Sequence, residues 1–275
     1  MKISNKLLGA AVISAAALGC ATSASAMTVD GITFLTGEQN FFSVATVYED
    51  RVLSVGSTLS GIGQVLTISA GSGVPIVWTT GTNGRELTYA FSGFKLEAVI
   101  PPVVGTTATL LFSGGSAQFY SDTAQNFTSS AGQATNLTNA TDGDLWLSTT
   151  AGASYGTCGV FAGSGICTSG DGVGITLVST VDTATLSAIT SGHGSGSFDV
   201  IGGLAAGNFD TNAIVGGYDL SGVFDFSTQN AGTTDYDLFG SADFKGTAIP
   251  EPATMGLFGL GLIGLGALAR RRKSA

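Results

Sequence analysis

Basic residues are almost absent from the interior of this 275-residue chain. Only Arg51, Arg85, Lys95 and Lys245 lie between positions 27 and 249, against 18 acids, so this stretch carries about −14. No face able to displace phosphate counterions can be built from it, which excludes nucleic acid as a partner. Proline is scarce at five residues, and charged residues of both signs reach only 11%. A helical cytosolic enzyme would carry far more Lys, Glu and Arg.

Histidine is reduced to His193, and this limits acid–base chemistry. Gly152-Ala153-Ser154-Tyr155-Gly156 satisfies the G-x-S-x-G pattern, with Asp171 or Asp182 and then His193 downstream. That motif needs a strand-to-helix elbow, which this segment lacks, and with 42 glycines in the chain chance matches are expected. His193 sits in SGHGSGSF, which reads as a turn that would not hold an imidazole against a nucleophile. Gly259 to Gly264 likewise spells G-x-G-x-x-G without a preceding βαβ unit. The expectation is a protein that is not an enzyme and has no cofactor.

What is present is strand material. Runs rich in Val, Ile, Thr, Phe and Tyr, bounded by Gly, Ser and Asn, recur from Met27 to Ile249, and no stretch sustains a 3.6-residue apolar period. VPIVWTT and ELTYAFSG flank Asn83-Gly84, which suits a tight hairpin turn. YDLSGVFDF (218–226) echoes YDLFGSADF (236–244), and alternation puts Tyr218, Leu220, Phe224 and Phe226 on one face and Tyr236, Leu238, Ala242 and Phe244 on its counterpart. The pair reads as adjacent antiparallel strands with Asp219, Asp225, Asp237 and Asp243 on a wet face. The expected fold is mainly β: a single antiparallel β-sandwich body, jelly-roll-like, followed by a C-terminal hydrophobic helix. Asp142-Gly143-Asp144 and Asp171-Gly172 are explained by turn chemistry. No EF-hand order of acids occurs, and structural calcium stays open as an alternative.

The two ends carry a different signal. Lys2 and Lys6, the apolar stretch Leu7 to Leu18, and Ala24-Ser25-Ala26 form a secretory signal peptide over residues 1–26, cleaved after the A-x-A site. Leu18-Gly19-Cys20 is like the end of a lipidation box, but Ala17 stands where that box has leucine. Export leaves Cys158 and Cys167, close in sequence with three glycines between them, and an oxidising compartment favours a disulfide. At the other end, residues 253–269 hold no charge and make a short transmembrane helix of about 25 Å at ~1.5 Å per residue. Arg270, Arg271, Arg272 and Lys273 come next as a basic stop on the cytoplasmic side. The five glycines of this run weaken it as a permanent anchor.

Pro250-Glu251-Pro252, the glycine-rich hydrophobic span and the terminal arginine cluster together resemble the PEP-CTERM sorting signal, over residues 249–275. The resemblance implies an exporting, exopolysaccharide-producing gram-negative host. It also implies an exosortase, a membrane cysteine peptidase that cleaves near Pro250-Glu251-Pro252. The expected protein is therefore a secreted surface or matrix protein with a body over 27–248, held transiently in the inner membrane. It would then be sorted to the cell envelope or exopolysaccharide and associate with biofilm or floc formation. Two rival readings remain open: a carbohydrate-binding module using exposed Trp or Tyr, and an exported enzyme acting on polysaccharide through two carboxyls.

Overall fold

The architecture comes from a computed structural model, which describes residues 25–71, 75–102, 104–128, 130–159, 172–228 and 235–250. It is mainly β, and it corrects the sandwich expectation. Eight antiparallel strand positions succeed one another around a closed barrel. They are β3 (Gln39–Glu49), β4 (Thr58–Ala70), β6 (Glu86–Ile100), β7 (Ala108–Asp122), β8 (Asp144–Gly152), β10 (Ser191–Gly202), β11 (Leu220–Thr228) and β12 (Leu238–Thr247). Closure comes from β12 lying against β3, with Leu238 opposite Glu49 and Thr247 opposite Gln39. A sandwich and an up-and-down barrel show the same alternation along each strand. Only the pairing of distant strands separates them, and no local pattern encodes it.

Two positions in the wall are built from interrupted strands. β9 (Leu177–Val181) continues the line of β8, so that β7 and β10 each pair first with one and then with the other. Between them the chain leaves the wall, and Tyr155, Cys158 and Ile175 pack on the outer face against Ala98, Leu111 and Val178. β5 (Ile76–Thr79) similarly precedes β6 along the same edge of β4. The Asn83-Gly84 turn exists, with both residues at positive φ, yet it links collinear segments and not hairpin partners. The hairpin expectation is corrected there.

Glycine works mainly inside the strands. A Cβ on Gly63 would lie 2.4 Å from the Tyr89 ring, and one on Gly61 2.4 Å from Phe91. Rings of one strand thus lie over glycines of the next, which lets a narrow barrel hold a crowded aromatic interior. Phe244 is the hub: its ring centroid is 5.2 Å from Phe119, 5.4 Å from Phe224, 5.5 Å from Tyr89 and 5.8 Å from Phe198. Each such pair contributes about 0.5–1.5 kcal/mol beyond simple burial.

One end of the barrel is plugged. β1 (Ser25–Val29) and β2 (Ile32–Thr36) form a hairpin around Asp30-Gly31, both at positive φ as a tight turn requires. Phe34 packs on Trp146 and Phe209 at this end, with Phe42 beside both, and Phe209 closes the short helix α2 (Ala206–Phe209). The Trp146 indole donates to Val29 O at 3.1 Å, and Asn40 bridges Leu35 by accepting from its N–H (2.8 Å) and donating to its carbonyl (2.7 Å). Helix α1 (Gln133–Thr141) covers the outer wall, where Ala140 meets Tyr48, Ile62 and Tyr236. Among the described residues no helix is long and apolar enough to cross a membrane. The hydrophobic helix expected over 253–269 lies outside the described residues.

Candidate functional site

The interior opposite the plug is not completely filled. Alternation along β3 turns Val47 inward, Tyr48 outward beneath α1, and Glu49 inward again. Glu49 faces an apolar cavity of about 50 Å³, walled by Leu59, Phe91, Phe94, Phe112, Phe198 and Phe226. Gly194 of β10 contributes wall without a side chain. Segments 50–57 and 182–190 meet at this end. Arg51 donates through Nη1 to Ser187 O at 3.2 Å and through its backbone N–H to Asp237 at 3.3 Å, and Val52 and Ile189 add apolar lining.

Glu49 is 7% exposed and makes no hydrogen bond among the described residues. Burial, reinforced by the neighbouring Asp50 charge, pushes its carboxyl up to about 8 from the ordinary 4.5. At neutral pH it is therefore an uncharged acid with an O–H to donate. Asp50 points the other way and accepts from the Gln133 side chain of α1. Its own carboxyl is raised by burial, against the Gln133 bond that lowers it. The Tyr89 hydroxyl is buried without a partner among the described residues, and burial together with the Glu49 charge raises its pKa well above the ordinary value.

The residues singled out in the sequence fall elsewhere. His193 is in β10, not a turn, and its Nδ1 lies 2.7 Å from Asp225 Oδ1 on the outer face. Ser154 lies in the exposed excursion after β8, and Asp171 is outside the described residues. The 218–226 and 236–244 echo does pair, as β11 and β12. Asp219, expected on its wet face, is instead buried, accepting from Val200 N (2.7 Å), Thr211 N (2.6 Å) and Asn212 N (2.5 Å). Tyr236 packs outside the barrel and not with Leu238 and Phe244. Asp142 accepts from the Asn126 side chain at 3.0 Å. Among the described residues no group of three or more His, Cys, Asp or Glu is placed to hold a metal. Cys158 is fully buried; its expected partner Cys167 lies outside the described residues, as do Ala24, Glu251, Pro252 and Arg270 to Lys273. Ala26 sits in β1 beside Ser25, exposed and opposite Leu35. Sequence reasoning missed Glu49, since a lone Glu among strand residues shows its facing only once bulges and register are known.

The last described residues settle where the tail begins. Gly37 N donates to Ala248 O at 2.7 Å, Ile249 N to Asn208 O at 2.8 Å, and Asn208 Nδ2 to Ile249 O at 3.0 Å. The chain is thus fastened to the plugged end up to the residue before Pro250. Comparison with known families identifies the segment that departs from there. Residues 248–273 are a PEP-CTERM protein-sorting motif. The motif makes this a secreted protein sorted and processed by an exosortase, destined for the cell envelope or surface. No curated protein and no solved structure matches the chain.

Proposed function

We propose that the barrel is a non-enzymatic surface or matrix protein, held briefly in the inner membrane by residues 253–269 and then cut near Pro250-Glu251-Pro252. It joins the exopolysaccharide that surrounds the cell and contributes to biofilm or floc formation. The observation that carries this reading is the sorting motif, which starts one residue after the last barrel strand. Two features of the body support it. The closed wall leaves the eight barrel strands no free edge for chain-to-chain pairing. The net acidic body suits a hydrated polymer better than an anionic membrane. The last residues before Pro250 are held at the plugged end, where Asn208 donates to Ile249 O and also reaches Met27.

Both rival readings lose ground. A carbohydrate-binding face would need exposed aromatics, yet Trp78, Trp146, Tyr48, Tyr89 and Tyr236 are buried, and Tyr120, Tyr155 and Tyr218 are half-buried. A polysaccharide-cleaving pair would need two facing carboxyls. Glu49 is shielded enough to stay protonated, but its neighbour Asp50 faces the opposite side of the wall.

Intact mass and cell fractionation in the native host test the proposal, with Pro250, Glu251 and Pro252 replaced by alanines as the contrast. The wild type is expected to lose both ends and leave the membrane, while the variant keeps its tail and stays. If both retain an intact tail in the membrane, processing at this motif is wrong. Release without co-purification with exopolysaccharide would sink the matrix assignment alone.

A further inference from the structure

The sorting motif explains where the barrel goes and leaves its interior unexplained. Eight-stranded barrels have an interior just wide enough to be filled by side chains or to hold one small ligand. Here the filling is uneven. At the plugged end the rings of Phe34, Phe42, Trp146 and Phe209 pack against one another, while the opposite end keeps a cavity of about 50 Å³. A chain selected only for stability would close that space, and Gly194 shows how easily it could. A Cβ there would meet only Ser179 and Val178 O, all at an ordinary 3.6 Å, and the backbone is not in the left-handed region.

The cavity also contains a group that stability does not explain. Glu49 is more than nine-tenths buried, aims into the cavity and has no hydrogen-bond partner among the described residues. Its carboxyl has only the cavity to turn to, and a hydrophobic residue of the same length would fill the place without a carboxyl to desolvate. Arg51 and Ser179 also line the cavity, and an apolar pocket with a few polar groups is the ordinary form of a small-molecule site.

We propose that this cavity binds a small, uncharged apolar molecule carrying one hydrogen-bond acceptor, such as a ketone or alcohol, which takes its hydrogen bond from the Glu49 carboxyl. The size of the space, about four water-sized spheres, selects a molecule of roughly three or four heavy atoms. The aromatic wall supplies the contact area, and Glu49 fixes the orientation. The Arg51–Ser187 hydrogen bond joins the two segments at this end, and parting it gives the ligand its way in. The site does not depend on the matrix assignment and would operate before or after sorting.

The test uses the full chain in lipid nanodiscs and four small ligands of nearly one shape: acetone, 2-propanol, propane and isopropylammonium. Binding is read by saturation-transfer NMR, irradiating aromatic protons that the lipids lack. Acetone and 2-propanol are expected to bind roughly tenfold more tightly than propane, the worth of one buried hydrogen bond. Glu49→Met should remove that preference while leaving propane bound. Gly194→Leu, which fills the space, should abolish binding of all four with the melting temperature unchanged or raised. Where that variant alters the fold, Ser179→Leu on the facing strand replaces it. Equal affinity for ketone and hydrocarbon, or a preference that survives Glu49→Met, overturns the role of Glu49. Binding that survives the filled cavity overturns the site. Tightest binding of isopropylammonium would mean that Glu49 acts as a carboxylate for cations, and the uncharged-ligand proposal fails.

Discussion

At the scale of single residues, Glu49 links the interior to pH. Its carboxyl titrates near 8 in the folded chain and near 4.5 when free, with burial as the main cause and Asp50 adding to it. Between those values the folded chain keeps a proton that the unfolded chain has lost. Stability therefore falls as pH rises through this window, and the full cost, about 3–5 kcal/mol, is reached above it. Glu49→Gln should flatten this fall, raising the urea midpoint at about pH 9 far more than at about pH 5. An equal gain at both pH values would show that Glu49 does not titrate in this window. Glycines give a second residue-scale contrast. A Cβ on Gly240 would fall 1.7 Å from the Asp225 carbonyl oxygen, which belongs to the paired strand and cannot move aside. Gly240→Ala is expected to cost about 2–3 kcal/mol. Gly207→Ala, with nothing within 4 Å, should be neutral or slightly stabilising. Thermal unfolding of the two variants side by side checks both. Neither glycine is distinguishable from the other by reading the chain, since the difference lies in what a neighbouring strand brings near.

At the scale of elements, the connections are fastened by buried side chains that imitate backbone pairing. Asp219 gathers three N–H groups from β10 and the segment before β11, and Glu86 accepts from Asn126 N and Phe127 N as well as from the Gln64 side chain. Charge-assisted bonds of this kind are about twice as strong as neutral ones. Asp219→Ala is expected to destabilise the fold by about 2–4 kcal/mol and to speed amide exchange at Thr211 and Asn212 first. Exchange that quickens evenly over the whole wall would mean that Asp219 acts globally and not on its own connection. The β11–β12 pair is legible in the sequence because its two segments repeat each other at matching positions. Asp30-Gly31 carries a local turn signal as clear as that of Asn83-Gly84, and it is the former that closes a hairpin. Neither interrupted strand is legible: β5 and β6 look like two partners of a hairpin, and only their common neighbour β4 shows them to be one line. The glycines and serines around His193 imitate a turn. In β10 those glycines face inward, where Gly192 leaves room for the Phe226 ring.

At the scale of the whole molecule, the body is a barrel with a fastened end, from which the sorting motif departs, and an end that holds the cavity. The excursion carrying Cys158 packs on the outside of the wall, so a Cys158–Cys167 bridge would staple this excursion and not the barrel. The exported chain is expected to weigh two hydrogens less than its reduced form. Reduction should cost about 2–3 kcal/mol of stability in the excursion while the barrel keeps its far-ultraviolet circular dichroism. Two free thiols by mass would exclude the bridge. Sequence by itself determined the β class and the sorting motif at the C-terminal end. These rest on composition and on contiguous residues, which a linear reading captures completely. Closure of the sheet, the inward aim of Glu49, the burial of Asp219 and the cavity were decided only by the tertiary structure. Each depends on which distant strand lies alongside and in what register. A bulge or a one-residue slip moves a side chain from solvent to core without changing any local pattern.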